Sequence, residues 1–402
     1  MKRVSNSSIL SGIKSVSSIQ PHPALRPFLK WPGGKGQELA AIATASPALS
    51  GRLLDPFVGG GTILLATPTD VPALANDACR DLVELYRSTA RGDLAFEQAV
   101  EGVGAAWQDM AWLAPLYAEL AEAFRTGDSA RVPARLHAHA SRLRSVVDQA
   151  GPNLASIVSA RVEWDVLAKL ERMRRLQARR GQELSDKDLL ANVEGGVRSS
   201  LYFAVRSRYN TARLAGRWDE IRAADFLVLR ELAYAAMFRF NRHDAFNVPY
   251  GGITYNRKSL AGKAGLMFGQ AMRERLANTH FESRDFEAFL AEATPVAEDF
   301  VFVDPPYDSN FSAYDNRPFD GTDQVRLERM LAGLPAQVMV VIKDAPAIRA
   351  LYSPDRWNVI ASPKTYMWTI KSRNERLATH LTITNYERAR AQPEPDPRPA
   401  RR

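Results

Sequence analysis

The sequence predicts an α/β protein whose mostly parallel sheet is divided by a long helical insertion. Short, almost wholly apolar runs near residues 52–75 and again from residue 300 onward are typical of strands covered on both faces. A glycine-rich turn follows the first run directly, at the place where α/β folds bind ligands. Between these parts, residues 91–240 are rich in Ala, Leu, Arg and Glu, with apolar residues spaced three and four apart as in helices.

The composition is that of an ordinary globular protein, with 402 residues, 46% hydrophobic and 24% charged. This length predicts two or three structural units and a core that needs no disulfides. Because Cys79 is the single cysteine, a disulfide framework and a cysteine-rich zinc ribbon are excluded. The formal net charge of +8 fits either a solvated surface or a polyanionic partner such as nucleic acid.

Both ends of the chain differ from its middle. Residues 1–24 contain seven serines and no acidic residue, which is typical of a disordered start and also of a mitochondrial-type presequence. Residues 387–402 form a charged, proline-rich tail that cannot bury a core. No apolar run approaches the roughly 18 residues of a membrane-spanning helix. We therefore expect no membrane partner and a cytoplasmic location.

Order is expected to begin at Leu25. Arg52-Leu-Leu54 is typical of the end of a short strand, and it is followed by Asp55-Pro-Phe-Val-Gly-Gly-Gly-Thr62 and a helix-compatible run. A glycine-rich turn between a parallel strand and a helix lets the backbone approach a ligand closely and points free N–H groups at it. A plain tight turn would have the same sequence, so this loop alone leaves both interpretations open.

An acidic residue follows the next strand candidate, residues 71–75. Asp77 lies 18 positions beyond Gly59, close to the roughly 20-residue offset at which an acid binds a ribose in doubly wound folds. Together the loop and the acid indicate a nucleoside-containing cofactor. The alternative role for Asp77 is to cap the helix that follows.

The upstream segment Lys30-Trp-Pro-Gly-Gly-Lys35 is not a P-loop. That motif needs a glycine five positions before Gly34, where Leu29 stands, and a serine or threonine after Lys35, where Gly36 stands. Hydrolysis of a nucleoside triphosphate is therefore disfavoured.

The strongest single signal is Asp304-Pro-Pro-Tyr307, directly after the strand candidate Phe300-Val-Phe-Val303. Two prolines force an extended backbone and remove two N–H donors, so Asp304 and the carbonyls of Pro305 and Pro306 remain as acceptors. Acceptors without competing donors suit an exocyclic amine, and Tyr307 offers a flat face on which a base can stack. The alternative is an ordinary proline turn at the end of a core strand.

Taken together and in this order, the motifs resemble those of the Dam-like (alpha-group) DNA adenine-N6 methyltransferases. The resemblance also includes Arg239-Phe-Asn241 with Phe246-Asn-Val-Pro-Tyr-Gly251, Asp285-Phe286, and Leu381-Thr-Ile-Thr-Asn-Tyr386 as the last strand. It implies a Rossmann-like S-adenosylmethionine-dependent methyltransferase sheet with an inserted, largely helical DNA-recognition region. The expected regions are a disordered N-terminus (1–24), a catalytic domain (25–90 and 280–386), a helical insert with target recognition (91–279), and a disordered tail (387–402).

The implied reaction moves the methyl group of S-adenosylmethionine to the N6 amine of an adenine flipped out of double-stranded DNA. Asp304 and the Pro305 carbonyl would hold the hydrogens of the amine, Pro306 belongs to the same catalytic motif, and Tyr307 would stack on the base. No metal is required. The residues implied to bind the cofactor are Trp31, Lys35, Asp55, Pro56, Phe57, Gly59, Gly61, Asp77, Asp285 and Phe286.

The expected DNA contacts lie in or near the segment that resembles the family's DNA-reading region. They are Arg206, Arg208, Arg239, Asn241, Arg242, Asn247 and Lys258. A second basic stretch, residues 161–180, fits either a phosphate contact or an exposed helix face with salt bridges. The resemblance also makes association with a restriction system a candidate partnership.

Three positions depart from the family pattern. Alanines occupy positions 235 and 236, where an Asn-Gly pair is common; Ile342-Lys343 precedes Asp344, where Ser-Asn is usual; and His380 stands where glutamate is typical. The rival functions are a cytosine-N4 methyltransferase, whose catalytic motif usually begins with serine, and a methyltransferase acting on amines of RNA or of protein glutamine. A catalytically silent DNA-binding protein on the same scaffold is the rival from another class.

Overall fold

The computed structural model describes residues 17–306, 319–365 and 377–387. The described strands form one seven-stranded sheet in the order β3-β2-β1-β4-β5-β7-β6. The strands are β1 (Leu53–Asp55), β2 (Ala73–Asn76), β3 (Thr279–Glu282), β4 (Phe300–Val303), β5 (Gln337–Lys343), β6 (Asn358–Thr365) and β7 (Leu377–Thr384).

The order of the strands reverses beside β1, which places a ligand crevice there. Leu53 of β1 pairs in parallel register with Ala73 of β2 on one side and with Phe300 of β4 on the other. The chain therefore builds the sheet outward in both directions from the β1–β4 pair. In open α/β sheets, the carboxyl ends of the strands at such a switch point leave a crevice outside the sheet.

Helices cover both faces of the sheet and fill the insertion. The helices are α1 (Leu39–Ala45), α2 (Thr62–Ala66), α3 (Arg80–Arg91), α4 (Leu94–Asp109), α5 (Ala114–Arg125), α6 (Arg131–Ala138), α7 (Ala140–Asp148), α8 (Leu154–Arg180), α9 (Asp186–Leu214), α10 (Glu220–Leu232), α11 (Ala261–Met267), α12 (Gln270–Ala277), α13 (Phe286–Ala293), α14 (Gly321–Ala332) and α15 (Pro346–Leu351). Short 3₁₀ turns lie at Met110–Leu113, Tyr234–Ala236 and Ile253–Tyr255.

Alternating side chains of the strands enter two separate apolar cores. On β4, Phe300 and Phe302 pack into the core shared with the insert, whereas Val301 and Val303 pack against α13 and α14. This alternation follows from the two-residue period of a strand, and it explains why β4 is apolar at every position. Both faces of the sheet centre are therefore buried, which leaves the strand ends as the polar edge.

The insert occupies the connection between β2 and β3. Its longest helices, α8 and α9, pack along each other, and α10 packs against α3, α4 and α9. Gly181, with a φ of +64°, ends α8, and Ser185 begins α9 by accepting a hydrogen bond from the Asp188 N–H. The α3–α10 contact joins the insert to the sheet close to the end of β2.

Two strands lie where the apolar runs gave no signal. β3 has polar His280 and Glu282 because it is an edge strand, with β2 as its neighbour in the sheet. The last strand expected from residue 381 onward belongs to β7, which pairs antiparallel with β6, a strand that begins at Asn358. β6 forms the opposite edge, where Pro363 is tolerated because an edge strand has one unpaired side. No helix in the described ranges is long and apolar enough to cross a membrane.

Candidate active site

The turn after β4 presents a carboxylate at the switch point. Asp304 follows Val303 directly, and the Nζ of Lys35 donates to its Oδ1. The same Nζ donates to the Gly33 carbonyl at 2.9 Å, and Lys35 is only 2% exposed. Burial raises the pKa of Asp304 above its usual range, and the ammonium of Lys35 offsets part of that rise. The Lys30–Lys35 segment and the Asp-Pro-Pro turn, predicted as separate motifs, thus meet at one ion pair.

The two prolines after Asp304 lie on the same edge of the sheet. Pro305 is buried, and the Pro306 carbonyl accepts a hydrogen bond from Gln324 Nε2 of α14 at 3.3 Å. Gln324 was not predicted as a site residue, and its sequence environment in an amphipathic helix gives no signal for such a role. Tyr307 lies outside the described residues.

The glycine loop after β1 is shaped by close packing. Gly59 and Gly61 adopt positive φ values of +48° and +72°. A Cβ on Gly59 would lie 2.8 Å from Trp31 Cδ1, so the indole covers the loop directly. Tyr86 donates its hydroxyl to the Gly59 carbonyl at 3.0 Å. Only glycine fits both the left-handed backbone and this close approach.

Asp77 and Asn76, at the end of β2, hold the loops on either side. Asp77 accepts the Gly59 N–H at 3.1 Å through Oδ2 and the Cys79 N–H at 2.8 Å through Oδ1. The side-chain amide of Asn76 donates to the carbonyls of Pro56 and Arg284, each at 3.1 Å. Asn76 thereby links the glycine loop to the turn that carries Asp285.

Asp55 and two phenylalanines lie beside the glycine loop. Asp55 is buried and accepts the Phe57 N–H at 3.2 Å. Burial, and then the nearby carboxylates of Asp304 and Asp77, raise the pKa of Asp55 well above its usual range. The rings of Phe57 and Phe286 lie 5.6 Å apart between centroids, and Phe319 packs on both.

Asp285 begins α13 after β3. Its Oδ1 accepts the Glu287 N–H at 3.1 Å and the Arg326 guanidinium at 2.8 Å. The guanidinium of Arg326 also lies over the Phe286 ring, 4.9 Å from its centroid. Asp285 therefore caps α13 and is paired with Arg326 next to the Phe286 ring.

These residues fit a nucleoside-containing methyl donor. A positive-φ glycine loop covered by Trp31 gives close backbone approach, and acids follow β1, β2 and β3 on the same edge. The Phe57–Phe286 pair adds two packed aromatic rings beside this loop, a suitable neighbour for a flat base. The contacts above involve Trp31, Asp55, Phe57, Gly59, Asp77 and Phe286, and the other four predicted cofactor residues, Lys35, Pro56, Gly61 and Asp285, lie on the same segments.

Behind the Lys35–Asp304 pair lies a second charged cluster. Glu38 accepts from Lys364 Nζ of β6, and its Oε1 lies 2.7 Å from Nδ1 of His380 of β7. Burial alone would raise the pKa of Glu38, but the hydrogen bonds from His380 and Lys364 outweigh it and lower the pKa to about 2. The histidine that departs from the family pattern is therefore part of an ion-pair cluster that ties the last hairpin to the segment following Lys35.

The segment expected to read DNA, residues 239–247, forms a small hairpin that exposes two arginines. The Asn247 N–H donates to the Arg239 carbonyl at 3.2 Å, and the Arg239 side chain returns to Asn247 Oδ1 at 3.3 Å. At the tip, Asn241 Oδ1 accepts the His243 and Ala245 N–H groups and so fixes the turn. Arg239 and Arg242 are exposed, which leaves their charge available at the surface.

The other three residues predicted to contact DNA, Arg206, Arg208 and Lys258, lie outside the hairpin. Arg208 makes a two-pronged ion pair with the buried Asp225 at 2.7 and 2.9 Å, and Lys258 donates to the Glu231 carbonyl at 2.7 Å. Because both cations are held inside the protein, we do not propose them as DNA contacts. Arg206 donates to the Val248 carbonyl at 3.2 Å beside the hairpin and stays half-exposed.

A buried carboxylate joins α3 to the insert and the hairpin. Asp81 accepts Arg222 at 2.7 and 3.0 Å, Arg213 at 3.0 Å and the Tyr209 hydroxyl at 2.9 Å. Arg213 also donates to Asp244 of the hairpin tip at 2.9 Å. We name Asp81, Tyr209, Arg213 and Arg222 the insert joint.

Arg230 is a second connection that sequence reasoning missed. Its guanidinium donates to the Lys30 carbonyl at 2.5 Å and to the Ala236 carbonyl at 2.9 Å, and it stacks over Trp31 at 4.9 Å. It thus connects the first motif with the turn before the hairpin. The sequence feature that indicates a buried, paired role for Arg230 is its position as a single arginine at the end of the apolar run Phe226-Leu-Val-Leu-Arg230.

Comparison with known proteins agrees with this arrangement. The chain matches the model of the D12 class N6 adenine-specific DNA methyltransferases over residues 31–137 and 167–366. It is 23% identical over 372 residues to the type II methyltransferase M1.LlaDCHI of Lactococcus lactis subsp. cremoris, which covers 90% of this chain and 96% of the relative.

Two further relatives match a shorter part. The type II methyltransferase M.MjaIII of Methanocaldococcus jannaschii is 30% identical over 37% of this chain and 50% of its own length. The DNA adenine methylase of Salmonella typhi is 26% identical over 40% of this chain and 57% of its own length. Since the family model covers most of the chain, the protein belongs to the D12 class N6 adenine-specific DNA methyltransferase family.

Proposed function

We propose that this adenine-specific DNA methyltransferase takes its methyl group from S-adenosylmethionine and transfers it to N6 of an adenine flipped out of a duplex at a short recurring site. In this proposal, residues 25–90 and 280–386 carry the chemistry, and residues 91–279 carry target recognition. A restriction nuclease is included among the proposed partners because relatives bear type II methyltransferase names.

The observation that carries the proposal is the position of Asp304. It follows β4 at the switch point of the sheet, next to the glycine loop that follows β1. A carboxylate followed by two prolines offers acceptors to an amine while the prolines supply no N–H donors. Asp304 already has an ammonium as its partner, which supports a site for a nitrogen donor with several hydrogens.

The cofactor would lie against the loop at Gly59 and Gly61, with Asp77 toward its ribose and Phe57 and Phe286 beside its base. When bound, S-adenosylmethionine supplies an electrophilic methyl group on its sulfonium sulfur. The acids at the strand ends hold and orient the cofactor, and the indole of Trp31 excludes water from the loop. Holding both reactants in line removes much of the entropic barrier of a two-molecule reaction.

The chain's own acceptors would act on the target amine. Ring conjugation makes an adenine amine a poor nucleophile, so Asp304 and the Pro305 carbonyl would accept its hydrogens and move the nitrogen toward sp³ geometry. Positive charge develops on N6 as its bond to the methyl carbon forms and the bond from that carbon to the sulfonium sulfur breaks, and these fixed acceptors stabilise that charge. The methylated amine would then lose one proton to water past these acceptors, while the thioether leaves as a neutral product. The amine would take the place at Asp304 that the Nζ of Lys35 holds in its absence.

The test is expression in a host that lacks adenine methylation, followed by single-molecule sequencing of its genomic DNA. We expect N6-methyladenine at one recurring short motif from the wild type and none from Asp304→Ala. Cytosine-N4 marks would replace the proposed target with the rival base. No marks, with S-adenosylmethionine binding shown on the purified protein, would favour an RNA substrate or a silent DNA-binding scaffold.

A further inference from the structure

A row of positive side chains begins beside the hairpin and continues onto the helical insert. Arg206 of α9 donates to the Val248 carbonyl, just after the hairpin, and its guanidinium carbon lies 4.5 Å from the centre of the Phe203 ring. Arg161 of α8 lies over the same ring at 4.6 Å. One aromatic side chain thus holds two guanidinium groups next to the DNA-reading segment.

The row continues along the groove between α8 and α9. A Cβ on Gly196 of α9 would lie 3.4 Å from Cβ and Cγ of Lys169, so this lysine packs over α9 two turns beyond Arg161. Arg172 is exposed almost one turn further on. At 1.5 Å per residue, the eleven positions from Arg161 to Arg172 span about 16 Å, enough to reach several phosphates along one strand. We name Arg161, Lys169, Arg172 and Arg206 the α8–α9 ridge.

The ridge carries more positive than negative charge. Asp165 is buried and is paired with Arg161 at 2.7 and 3.0 Å. Within the described parts of the chain, Lys169, Arg172 and Arg206 have no carboxylate at ion-pair distance. Burial lowers the pKa of Lys169, and the neighbouring Arg172 lowers it further. Burial also lowers the pKa of Arg206, where Tyr202 and Asp165 oppose the shift and Arg161 adds to it. A bound anion would relieve this crowding of like charges.

We propose that the α8–α9 ridge binds the phosphate backbone of the duplex beside the target site, and so extends the DNA interface from the hairpin over the helical insert. The proposal rests on the proposed function, since it needs a duplex on the hairpin. Arginine and lysine in a row with an aromatic ring between them suit phosphate oxygens, and contacts of this kind add affinity without reading sequence. Residues 138–166, which include Arg161, fall outside the ranges matched by the family model, whereas Lys169, Arg172 and Arg206 lie inside them.

The test compares two double variants that remove the same charge. Lys169→Gln/Arg172→Gln removes two ridge cations. Arg142→Gln/Arg144→Gln is the matched control, because both arginines are exposed on α7, a helix that carries no ridge residue, and Arg144 is paired with Asp148 at 3.9 Å. Binding of a duplex that contains the methylated site is measured from low to physiological salt, with thermal unfolding to check that each variant folds.

We expect the slope of log affinity against log salt to fall by about 0.9 for each phosphate that the variant no longer neutralises, so by about 2 in the ridge variant and by much less in the control. Trimming the base pairs that flank the site should remove the difference between wild type and ridge variant. If the two double variants have equal slopes and the wild type methylates DNA normally, the proposed phosphate contact of the ridge is wrong and the proposed function is unaffected. A wild type that neither binds nor methylates duplex DNA would overturn the proposed function, and the ridge with it.

Discussion

Asp304 and Asp81 are both paired with positive side chains, but the two carboxylates differ in their exposure and in the number of their partners. Asp304 lies at the end of β4 with its side chain 20% exposed, and Lys35 is its ion-pair partner within the described ranges. Asp81 lies in the insert joint at 3% exposure and accepts from a tyrosine hydroxyl and two guanidinium groups. Both carboxylates lie in polar surroundings, but Asp81 accepts hydrogen bonds from three side chains, whereas the side-chain partner of Asp304 in the described ranges is Lys35.

The difference shows which carboxylate can exchange its partner. Planar guanidinium groups bind Asp81 from fixed directions and satisfy both of its oxygens, which holds α3, α9 and α10 together. A flexible lysine holds Asp304, and burial raises the pKa of that acid, so its charge is not fully stabilised by the fold. An incompletely satisfied acid suits substrate chemistry, whereas a saturated one suits architecture.

Asp81→Asn tests the architectural half of the comparison and has the largest expected effect. The amide would leave the buried guanidinium of Arg222 without its counter-charge, so we expect the free energy of unfolding to fall by about 3–5 kcal/mol in urea denaturation. The control is Asp186→Asn, which breaks an exposed, solvent-screened pair with Arg125 and should lower the free energy of unfolding far less. Equal losses in the two variants would contradict the role assigned to the insert joint.

Asp304→Asn tests the catalytic half. The variant keeps the shape of the side chain but replaces an acceptor by a donor, so we expect methyl transfer to a duplex to fall by about 100- to 1,000-fold or more. Cofactor affinity should remain near that of the wild type. Folding raises the pKa of Asp304, so its charge costs stability at neutral pH, and the neutral amide removes that cost. This gain offsets part of the loss from leaving the ammonium of Lys35 without its counter-charge, so the melting temperature should shift less than in Asp81→Asn. Retained activity would remove Asp304 from the reaction.

Lys35→Met sharpens the electrostatic part of the comparison. The folded-state pKa of Asp304 is raised, so its accepting, ionised form is lost as the pH falls through that raised value, and Lys35 opposes the rise. Without the ammonium, the acidic limb of the kcat/KM profile should move to higher pH. Lys30→Met, which removes an exposed charge from the same segment, should leave the limb in place. An unmoved limb in Lys35→Met would show that another group sets it.

Ala236→Gly has the smallest expected effect and tests strain beside the hairpin. Ala235 and Ala236 adopt φ values of +53° and +51°, a left-handed conformation that costs an alanine about 1–2 kcal/mol. Part of the relief is offset by the greater freedom of glycine in the unfolded chain, so we expect a gain of up to about 1 kcal/mol in unfolding free energy. The reverse change, Gly216→Ala at a φ of +64° and in open space, should lose a similar amount. A destabilised Ala236→Gly would show that the methyl group packs usefully.

The sequence by itself determined the elements that depend on local patterns. β1, β2, β4 and β5 follow from short apolar runs, and the glycine loop and the Asp-Pro-Pro turn follow from residues with restricted or unusual backbone preferences. Because parallel strands end on one edge, Asp55, Asp77 and Asp304 lie on the same edge of the sheet, at the ends of β1, β2 and β4. The polar edge strand β3 left no such pattern, and its place became visible only through its pairing with β2.

Only the tertiary structure decided which charged side chains are engaged inside the protein and which face outward. Arg208 and Arg239 were both predicted from the sequence to contact DNA. In the structure, Arg208 is paired with the buried Asp225, whereas Arg239 is exposed on the hairpin. Lys35 and Asp304 are 269 positions apart, and Arg230 and Lys30 are 200 apart. The energy of such contacts depends on burial and on the directions that packing imposes, and neither quantity is encoded in local spacing.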